Sequence, residues 1–558
     1  MTSRRRWTWL SSFAALIAGV ALIAAGCGGG GNKSGQGQTT GGNASGGTAS
    51  KNQGKTFPVF RVTWDAPDYF DPGLSYTVTG WQIMQHEYLG LVGFKWTAGS
   101  DGATIVPALA QSLPQVSADG KDYKFTLRPG LKYSNGQPVK ASDFKASIER
   151  LYKVDSPGVG FFDQIVGASK AKTSGISGII TDDAKRTIEI KLSAPRGDFL
   201  DILGIPFGAI LPASTPASDQ STKGLPSTGP YMQQSYKPNR SFVLVRNPHY
   251  KAIPGIPKGN PDKLVGTILS DDTAALQTVL NGKSDYDFRT IPTDRLPEVQ
   301  KKYKNQLKLY TPANTYYLAM NTRVKPFNNI KARQAVEYAI NRDAMVQLFG
   351  GLGITTQNIL PPTYPQYQKI DYYKYDLKKA AQLVQQSGTK GMKITVWGLN
   401  EAPSQPTTEY VADQLKKIGW NATPKLLAHD VYFTTIGNQA TKAQIMYTDW
   451  YQDYPHPLDW FDVLFNGNRI TQTHNNNVGN ADFPDVNATI ERLKKVTKLT
   501  AKDNADWAKV DYDLVVKYAS SAPYLNIEGT DFFGKNVDLG CYYNHVLFQF
   551  DWTAICMK

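Results

Sequence analysis

Cysteine and histidine are scarce in this chain, whose 558 residues include only 3 Cys and 6 His. No two histidines lie two or four positions apart, and no H-E-x-x-H segment occurs. The sequence therefore lacks the ligand pattern of a zinc site, because such sites need clustered His, Cys or carboxylate donors. We predict that the protein holds no metal and no cofactor.

The motifs of common catalytic sites are also missing. The chain has no G-x-S-x-G, no P-loop and no G-x-G-x-x-G that opens a helix after a strand. Two S-x-x-K segments occur, Ser169–Lys172 and Ser387–Lys390, but the K-T-G of penicillin-recognising enzymes is absent from the sequence. Without a paired nucleophile and base, we predict no catalytic residues and no enzymatic activity.

Runs of basic residues are absent despite a formal net charge of +14. No five consecutive positions are all Lys or Arg, so nothing indicates binding of nucleic acid. Hydrophobic residues make up 41% of the chain and charged residues 19%, as in an ordinary folded protein. The length exceeds what one hydrophobic core serves, and we expect about two to four domains.

The N-terminus has the features of an export signal. Arg4–Arg6 precede a long apolar run that ends in Ala24-Ala25-Gly26, and Cys27 follows directly. A basic start, an apolar middle and small residues before a cysteine are typical of a bacterial lipoprotein signal. We predict a signal segment at 1–27, lipidation of Cys27, and an extracytoplasmic protein anchored to the cell membrane. An uncleaved membrane helix is the alternative, since the run is nearly long enough to span a bilayer.

Two further features belong to an exported protein. Residues 28–55 are rich in Gly, Ser and Thr and poor in large apolar side chains, which predicts a disordered tether with a reach of roughly 30 Å. The two remaining cysteines, Cys541 and Cys556, are most simply a disulfide in an oxidising compartment.

The folded part has two different patterns. Apolar residues alternate in 122–139 and 187–192 around a short helical segment, which predicts an α+β region with antiparallel strands near 93–194. After residue 313, strands near 392–398, 421–428 and 443–450 alternate with amphipathic helices. That order is typical of an α/β fold in which helices connect parallel strands.

Asp453 stands out within the stretch WYQDYPHPLDWF at 450–461, which contains no Lys or Arg. Aromatic neighbours favour burial, and a buried carboxylate needs a partner. One interpretation is a turn residue that bonds to its own backbone. The other is a ligand-binding carboxylate, because Asp453 follows the end of a predicted parallel strand, as Trp397 and Asn400 do at another strand, and ligands bind beside such ends.

Four segments, taken together, resemble the solute-binding lipoproteins of ABC importers, in family 5, which takes up peptides and nickel. They are residues 107–150, 227–250 and 317–346 and the Trp-x-x-Asp-Tyr-Pro-x-Pro stretch that contains Asp453. The resemblance implies an α/β fold, a two-lobe clamp like that of periplasmic binding proteins with an additional α+β domain in the first lobe. The implied limits are 56–92, 195–312 and 523–558 for lobe I, 93–194 for the extra domain, and 313–522 for lobe II.

The resemblance also implies a function, which is capture of a peptide between the lobes and delivery to ABC permease subunits by a monomeric protein. Asp453 is then expected to bind the α-ammonium of the peptide. The other residues expected to contact ligand are Trp450, Tyr454, Trp397, Asn400, Tyr76 and Thr77. The same role for an oligosaccharide is the alternative, because Trp397 and Trp450 can stack on sugar rings. A secreted hydrolase is the least favoured hypothesis.

Two positions depart from the family pattern. Relatives that select dipeptides have an arginine for the ligand carboxylate near 404–406, where this chain has Ser404-Gln405-Pro406. His456 stands between the two prolines, where relatives often have an acidic residue. We therefore expect longer peptides or another solute rather than dipeptides.

Membrane anchoring through Cys27 can be tested with one substitution. Cys27→Ala removes the only thiol at the end of the signal, so the variant should lose lipid labelling and leave the membrane fraction or remain an uncleaved precursor. Metabolic labelling with a fatty acid and cell fractionation measure both. Lipid labelling of the variant equal to that of the wild type would contradict the prediction.

Overall fold

The computed structural model describes residues 50–547 and 549–558, so Cys27 and residues 28–49 of the predicted tether lie outside the described part. Within it, no helix combines the length and apolar character needed to cross a membrane. The described chain folds into two lobes, each built around one large sheet.

The first lobe contains a seven-stranded mixed sheet. Its central strand, Phe60–Trp64, pairs in parallel with Lys263–Ile268 and Tyr286–Asp287. The outer strands pair antiparallel, and their hydrophobic residues bury a core that includes Trp64 and Trp552. The strands are, in spatial order, Leu307–Tyr310, Gly529–Phe533, Tyr286–Asp287, Phe60–Trp64, Lys263–Ile268, Ser241–Arg246 and Tyr231–Lys237.

A smaller antiparallel sheet belongs to the same lobe, and the helix Ala141–Lys153 packs against it. The alternating segments near 122 and 187 form two of its strands, so the α+β pattern predicted for this region is present. Its strands are, in spatial order, Gln115–Val116, Asp122–Thr126, Thr187–Lys191 and Ile179–Asp182. The implied domain limits stay predictions.

The second lobe contains a six-stranded sheet that is parallel on one side only. Lys393–Leu399 pairs in parallel with Asn421–Leu427 and Ile445–Tyr451, as the strand-helix alternation predicts. Asn314–Met320 pairs antiparallel with both of its neighbours, so the sheet as a whole is mixed. The strands are, in spatial order, Ile354–Thr355, Ser521–Asn526, Asn314–Met320, Ile445–Tyr451, Lys393–Leu399 and Asn421–Leu427.

Helix ends follow local capping chemistry. The side chain of Asp376 accepts a hydrogen bond from the Lys379 N–H at the start of one helix, and Gly388 follows its end with a φ of +68°. The helix between two of the parallel strands begins at Ser404, and Pro406 fits in its first turn, where no N–H is needed. The helices are Val78–Met84, Ala141–Lys153, Val159–Phe162, Phe199–Gly204, Asp272–Leu280, Leu296–Lys302, Ile330–Ala339, Arg342–Leu348, Leu377–Gln386, Ser404–Lys417, His429–Ile436, Leu458–Phe465, Pro484–Leu493 and Ala501–Tyr512.

The C-terminal tail is fastened to the first lobe. A disulfide joins Cys541 and Cys556, and the indole N–H of the fully buried Trp552 donates to the carbonyl of Gln82 at 3.2 Å. Three short antiparallel pairs complete the strands: Val92–Phe94 with Ile105–Pro107, Val537–Asp538 with Cys556–Met557, and Asn544–His545 with Gln549–Phe550.

The chain passes between the two large sheets at residues 311–313 and 527–528. These crossings are hydrogen-bonded to each other, because Asn314 donates to the carbonyl of Ile527 at 3.0 Å and accepts from its N–H at 2.8 Å. Two short adjacent connections make a hinge, the element on which two rigid bodies can rotate.

Candidate ligand-binding site

A cavity of about 270 Å³ lies between the lobes. The first lobe contributes the start of the helix Val78–Met84 and the residues just before it, and the second lobe contributes the end of the strand Ile445–Tyr451 and the residues beyond. Four of the seven residues expected to contact ligand line this cavity: Tyr76, Thr77, Trp450 and Asp453.

Local hydrogen bonds fix the contribution of the first lobe. Thr77 is the N-cap of the helix, with its side chain accepting from the Gly80 N–H at 3.2 Å. Asp68 accepts from the Tyr76 N–H at 2.7 Å and from the Thr77 hydroxyl at 2.8 Å. The loop before the helix is therefore held by side-chain oxygens, as in an Asx-type turn, and it presents the Tyr76 ring to the cavity.

Asp453 is hydrogen-bonded to Tyr76 of the other lobe. The Tyr76 hydroxyl donates to Oδ2 of Asp453 at 2.6 Å, although the two residues are 377 positions apart. The backbone N–H of Asp453 donates to Oδ2 of Asp459 at 2.8 Å, which fixes the turn. No Lys or Arg pairs with Asp453 in the described part of the chain, and burial raises the pKa of its carboxyl to about 7.

Asp449 is a second carboxylate in the same cavity, and the sequence patterns did not predict it as a site residue. It lies in the strand Ile445–Tyr451, opposite Tyr316, and burial raises its pKa to about 6. A signal for it exists, because residues two apart on a strand share a face, so Asp449 and Tyr451 point the same way.

A smaller cavity of about 190 Å³ adjoins the first and shares Phe433, Asp449 and Trp450 with it. Neither cavity has a Lys or Arg among its described lining residues. The combined space is therefore aromatic and acidic, although the chain as a whole is basic.

Three of the expected contact residues lie elsewhere. Trp397 is in the core of the second lobe, 6% exposed, with the Lys425 ammonium 3.9 Å from its ring centre. Asn400 is exposed, and its N–H donates to the carbonyl of Leu427. Tyr454 is fully buried and faces the first lobe rather than the cavity. These positions favour packing for Trp397 and Tyr454 and a surface position for Asn400 in this arrangement, and the ligand contacts of the seven residues stay predictions.

Tyr454 connects the lobes at a separate place. Its hydroxyl donates to Oδ2 of Asp198 at 2.7 Å, and Arg196 donates to Oδ1 of the same carboxylate at 2.6 Å. Burial opposes the charge on Asp198, but Arg196 outweighs it and the pKa falls to about 2. Beside them, the Gly197 N–H donates to the carbonyl of Lys494 at 2.8 Å. Asp198 is thus a satisfied buried carboxylate at the lobe contact.

His456, the departure between the prolines, is also structural in this arrangement. It is buried, and its Nδ1 accepts from the Leu458 N–H at 3.1 Å. Burial lowers its pKa to about 4, so the ring is neutral at physiological pH. It adds no charge to the site.

The geometry defines a class of protein, a two-lobed binding protein with a ligand-sized space at the lobe interface. Residues 104–472 match the model of the bacterial extracellular solute-binding proteins, family 5, which is well over half of the chain, and the protein belongs to that family.

Curated relatives agree with the family. The chain is 27% identical over 430 residues to the dipeptide-binding protein of Escherichia coli K12, a match that covers 72% of this chain and 76% of the relative. It is 26% identical over 343 residues to the glutathione-binding protein GsiB of the same organism, covering 60% of this chain and 64% of that one.

Solved structures share the fold. The clavulanic acid biosynthesis oligopeptide binding protein 2 superposes with a TM-score of 0.82 at 24% identity, over 91% of this chain and 96% of that one. The periplasmic binding protein DppA of Helicobacter pylori, in complex with the peptide STSA, superposes with a TM-score of 0.72 at 22% identity, over 91% and 99% of the two chains. The neighbours are two-lobed, as the resemblance implied.

The lobe contact at Tyr454 generates a prediction. Tyr454→Phe removes one hydrogen bond to a buried carboxylate, a contribution of about 1.5–3 kcal/mol. Because this bond joins the lobes, its loss should favour separated lobes, and small-angle scattering of the ligand-free variant should show a larger radius of gyration.

Tyr432→Phe is the matched control for Tyr454→Phe. The Tyr432 hydroxyl is equally buried but donates only within the second lobe, to the carbonyls of Trp397 and Tyr447. This variant should melt earlier without expanding. Equal radii for wild type and both variants would show that the Tyr454 bond does not hold the lobes together.

Proposed function

We propose that this protein is an extracytoplasmic solute-binding lipoprotein that captures peptides between its lobes and delivers them to an ABC import permease. One observation carries the proposal: Asp453 is a buried carboxylate at the lobe interface with no basic partner among the described residues. An ionised carboxylate in such a place is costly unless a cation meets it. A peptide brings that cation as its α-ammonium.

The remaining hydrogen-bonding capacity of the Asp453 carboxylate suits an ammonium. The Tyr76 hydroxyl donates to Oδ2, the side chain of Asp459 is the other hydrogen-bonding neighbour, and no described Lys or Arg forms an ion pair with the carboxyl. An N⁺–H···O⁻ bond to this carboxylate would be charge-assisted and stronger than a neutral one. The rings of Trp81 and Trp450 line the same cavity and would cover the carbon atoms beside the ammonium.

Capture by closure follows from the position of the site. The cavity takes residues from both lobes, so a bound peptide touches both and stabilises the state in which they meet. The hinge at residues 311–313 and 527–528 supplies the rotation. A closed, ligand-loaded form differs in shape from an open one, which is what a permease needs in order to select loaded carriers.

The remaining parts of the proposal come from sequence and relatives. The signal pattern before Cys27 supports a lipid anchor that keeps the protein near a membrane-bound permease. The relatives are named for a dipeptide and for glutathione, which is itself a small peptide with a free α-ammonium. The family is one of binding proteins, in keeping with a role that involves no catalysis.

An oligosaccharide is the weaker candidate for the same cavity. Trp81 and Trp450 offer ring surfaces for stacking on sugars. A neutral sugar, however, would leave the half-buried carboxylate of Asp449 and the buried carboxylate of Asp453 without a countercharge. The charge of the cavity therefore favours a cationic group on the ligand.

Asp453→Asn tests the ammonium contact. The variant keeps the shape of the side chain but leaves a bound ammonium without its countercharge, at a cost of about 2–5 kcal/mol, or roughly 30- to several-thousand-fold in Kd. Calorimetry with alanine peptides of two to five residues measures the loss. The N-acetylated forms should bind wild type weakly and be affected little by the substitution, because they bring no ammonium.

Asp376→Asn is the control for Asp453→Asn. It makes the same chemical change at a helix N-cap of the second lobe, where Asn caps as well as Asp. Peptide affinity should be unchanged in it. If free and acetylated peptides bind wild type equally well, Asp453 is a turn residue and the proposed recognition is wrong.

A further inference from the structure

We propose that Asp449 forms a second anionic subsite, which selects peptides with a lysine or arginine among their first two residues. This inference rests on the proposed peptide-binding function, since it assumes that the α-ammonium lies at Asp453. It adds a substrate class to that function: cationic peptides rather than peptides in general.

The position of Asp449 marks it as a contact for a side chain near the peptide N-terminus. It lies at the junction of the two adjoining cavities, which together extend beyond the space around Asp453. Asp449 and Asp453 belong to the same strand end, separated by three residues. A peptide anchored at Asp453 therefore places its first side chains in the space that Asp449 lines.

Asp449 has none of the partners that a structural buried carboxylate has. Asp511 is the contrast within the same lobe, since it accepts from the N–H groups of Ile359 at 2.8 Å and Leu360 at 3.2 Å and from the Asn358 amide at 3.0 Å. No described residue donates a hydrogen bond to the side chain of Asp449 or forms an ion pair with it. Its oxygens face a space that is open to a ligand.

The titratable groups around Asp449 do not form an ion pair with its carboxylate. Two histidines lie in its surroundings: His429 lies on the surface and pairs with Glu401 at 2.9 Å, and His474 lines the smaller cavity. Tyr316, Tyr447 and Tyr524 of the second lobe are also in its surroundings, and they carry no charge at neutral pH. Neither cavity has Lys or Arg in its described lining.

The rings beside Asp449 suit a long cationic side chain. Phe433 and Trp450 line both cavities together with Asp449. The methylenes of lysine or arginine pack on such rings while the charged end reaches a carboxylate. A cation over an aromatic face is attracted to it as well, most strongly over tryptophan. Rings and carboxylate together therefore recognise one chemical feature, an apolar stem that ends in a positive charge.

Three tripeptides test the inference: Lys-Ala-Ala, Ala-Lys-Ala and norleucine-Ala-Ala, in which norleucine has the stem of lysine without its charge. Calorimetry with wild type should show at least one lysine peptide binding about ten-fold or more tightly than the norleucine peptide, the range for a hydrogen bond to a charged group. Asp449→Asn should remove that preference and leave norleucine-Ala-Ala within about three-fold of wild type. Asp453→Asn should weaken all three.

Each outcome distinguishes the inference from the function on which it rests. If wild type binds the lysine and norleucine peptides alike, Asp449 selects no cation, and the inference fails while peptide binding stands. If Asp449→Asn weakens all three equally, its role is structural and the inference also fails. If wild type binds none of the peptides, the proposed function fails first. The comparison among peptides on wild type does not depend on the folding of any variant.

Discussion

The proposed function depends on one buried carboxylate, Asp453, which has no cationic partner among the described residues. Asp453 lies where the lobes meet, and its Oδ2 accepts a hydrogen bond from the neutral hydroxyl of Tyr76 in the opposite lobe. Desolvation therefore dominates its electrostatics and raises its pKa. In the proposed function, a ligand cation relieves that penalty when both lobes surround it, so the group that recognises the ligand also stabilises the closed form.

A contrast with Asp198 supports the proposal that Asp453 binds the ligand. Both carboxylates are buried at the lobe contact, and both accept a bond from a tyrosine hydroxyl across it. Asp198 has Arg196 as a permanent partner, and its pKa is lowered. Asp453 has no such partner among the described residues, and its pKa is raised. One carboxylate has its countercharge within the protein, and for the other we propose that a ligand supplies it.

Local sequence patterns predicted the local structure well. The three parallel strands and the antiparallel strands near 122 and 187 follow from periodicity, which acts over a few residues. The mixed character of the large sheets did not follow. The residue pattern of the strand Asn314–Met320 is that of any buried strand. Its direction relative to its neighbours is set by the global topology, which the pattern does not contain.

The site was predictable in part for the same reason. Asp453 was predicted because it is a lone acidic residue among aromatic residues. Its place just after a predicted parallel strand indicated the cleft. The Tyr76 contact spans 377 positions and has no local signal apart from the family resemblance. Tyr454 and Trp397 carry rings that suit either a ligand or a core, and only packing decides between these: Tyr454 faces Asp198, and Trp397 is enclosed by the second lobe. Asp449 was not predicted, because an acidic residue within a strand is typical of the solvent-exposed face of a sheet.

The central claim, that a ligand ammonium completes Asp453, is tested most directly by counting protons. At pH 6.5 a carboxyl with a pKa of about 7 is largely protonated, while a peptide α-amino group, with an ordinary pKa of about 8, is already charged. Pairing with the ammonium lowers the carboxyl pKa, so binding should release protons. Calorimetry of trialanine binding in buffers of different ionisation enthalpy measures this release. The account predicts net release by wild type that Asp453→Asn lacks, and binding without proton release, or equal release by both proteins, would contradict it.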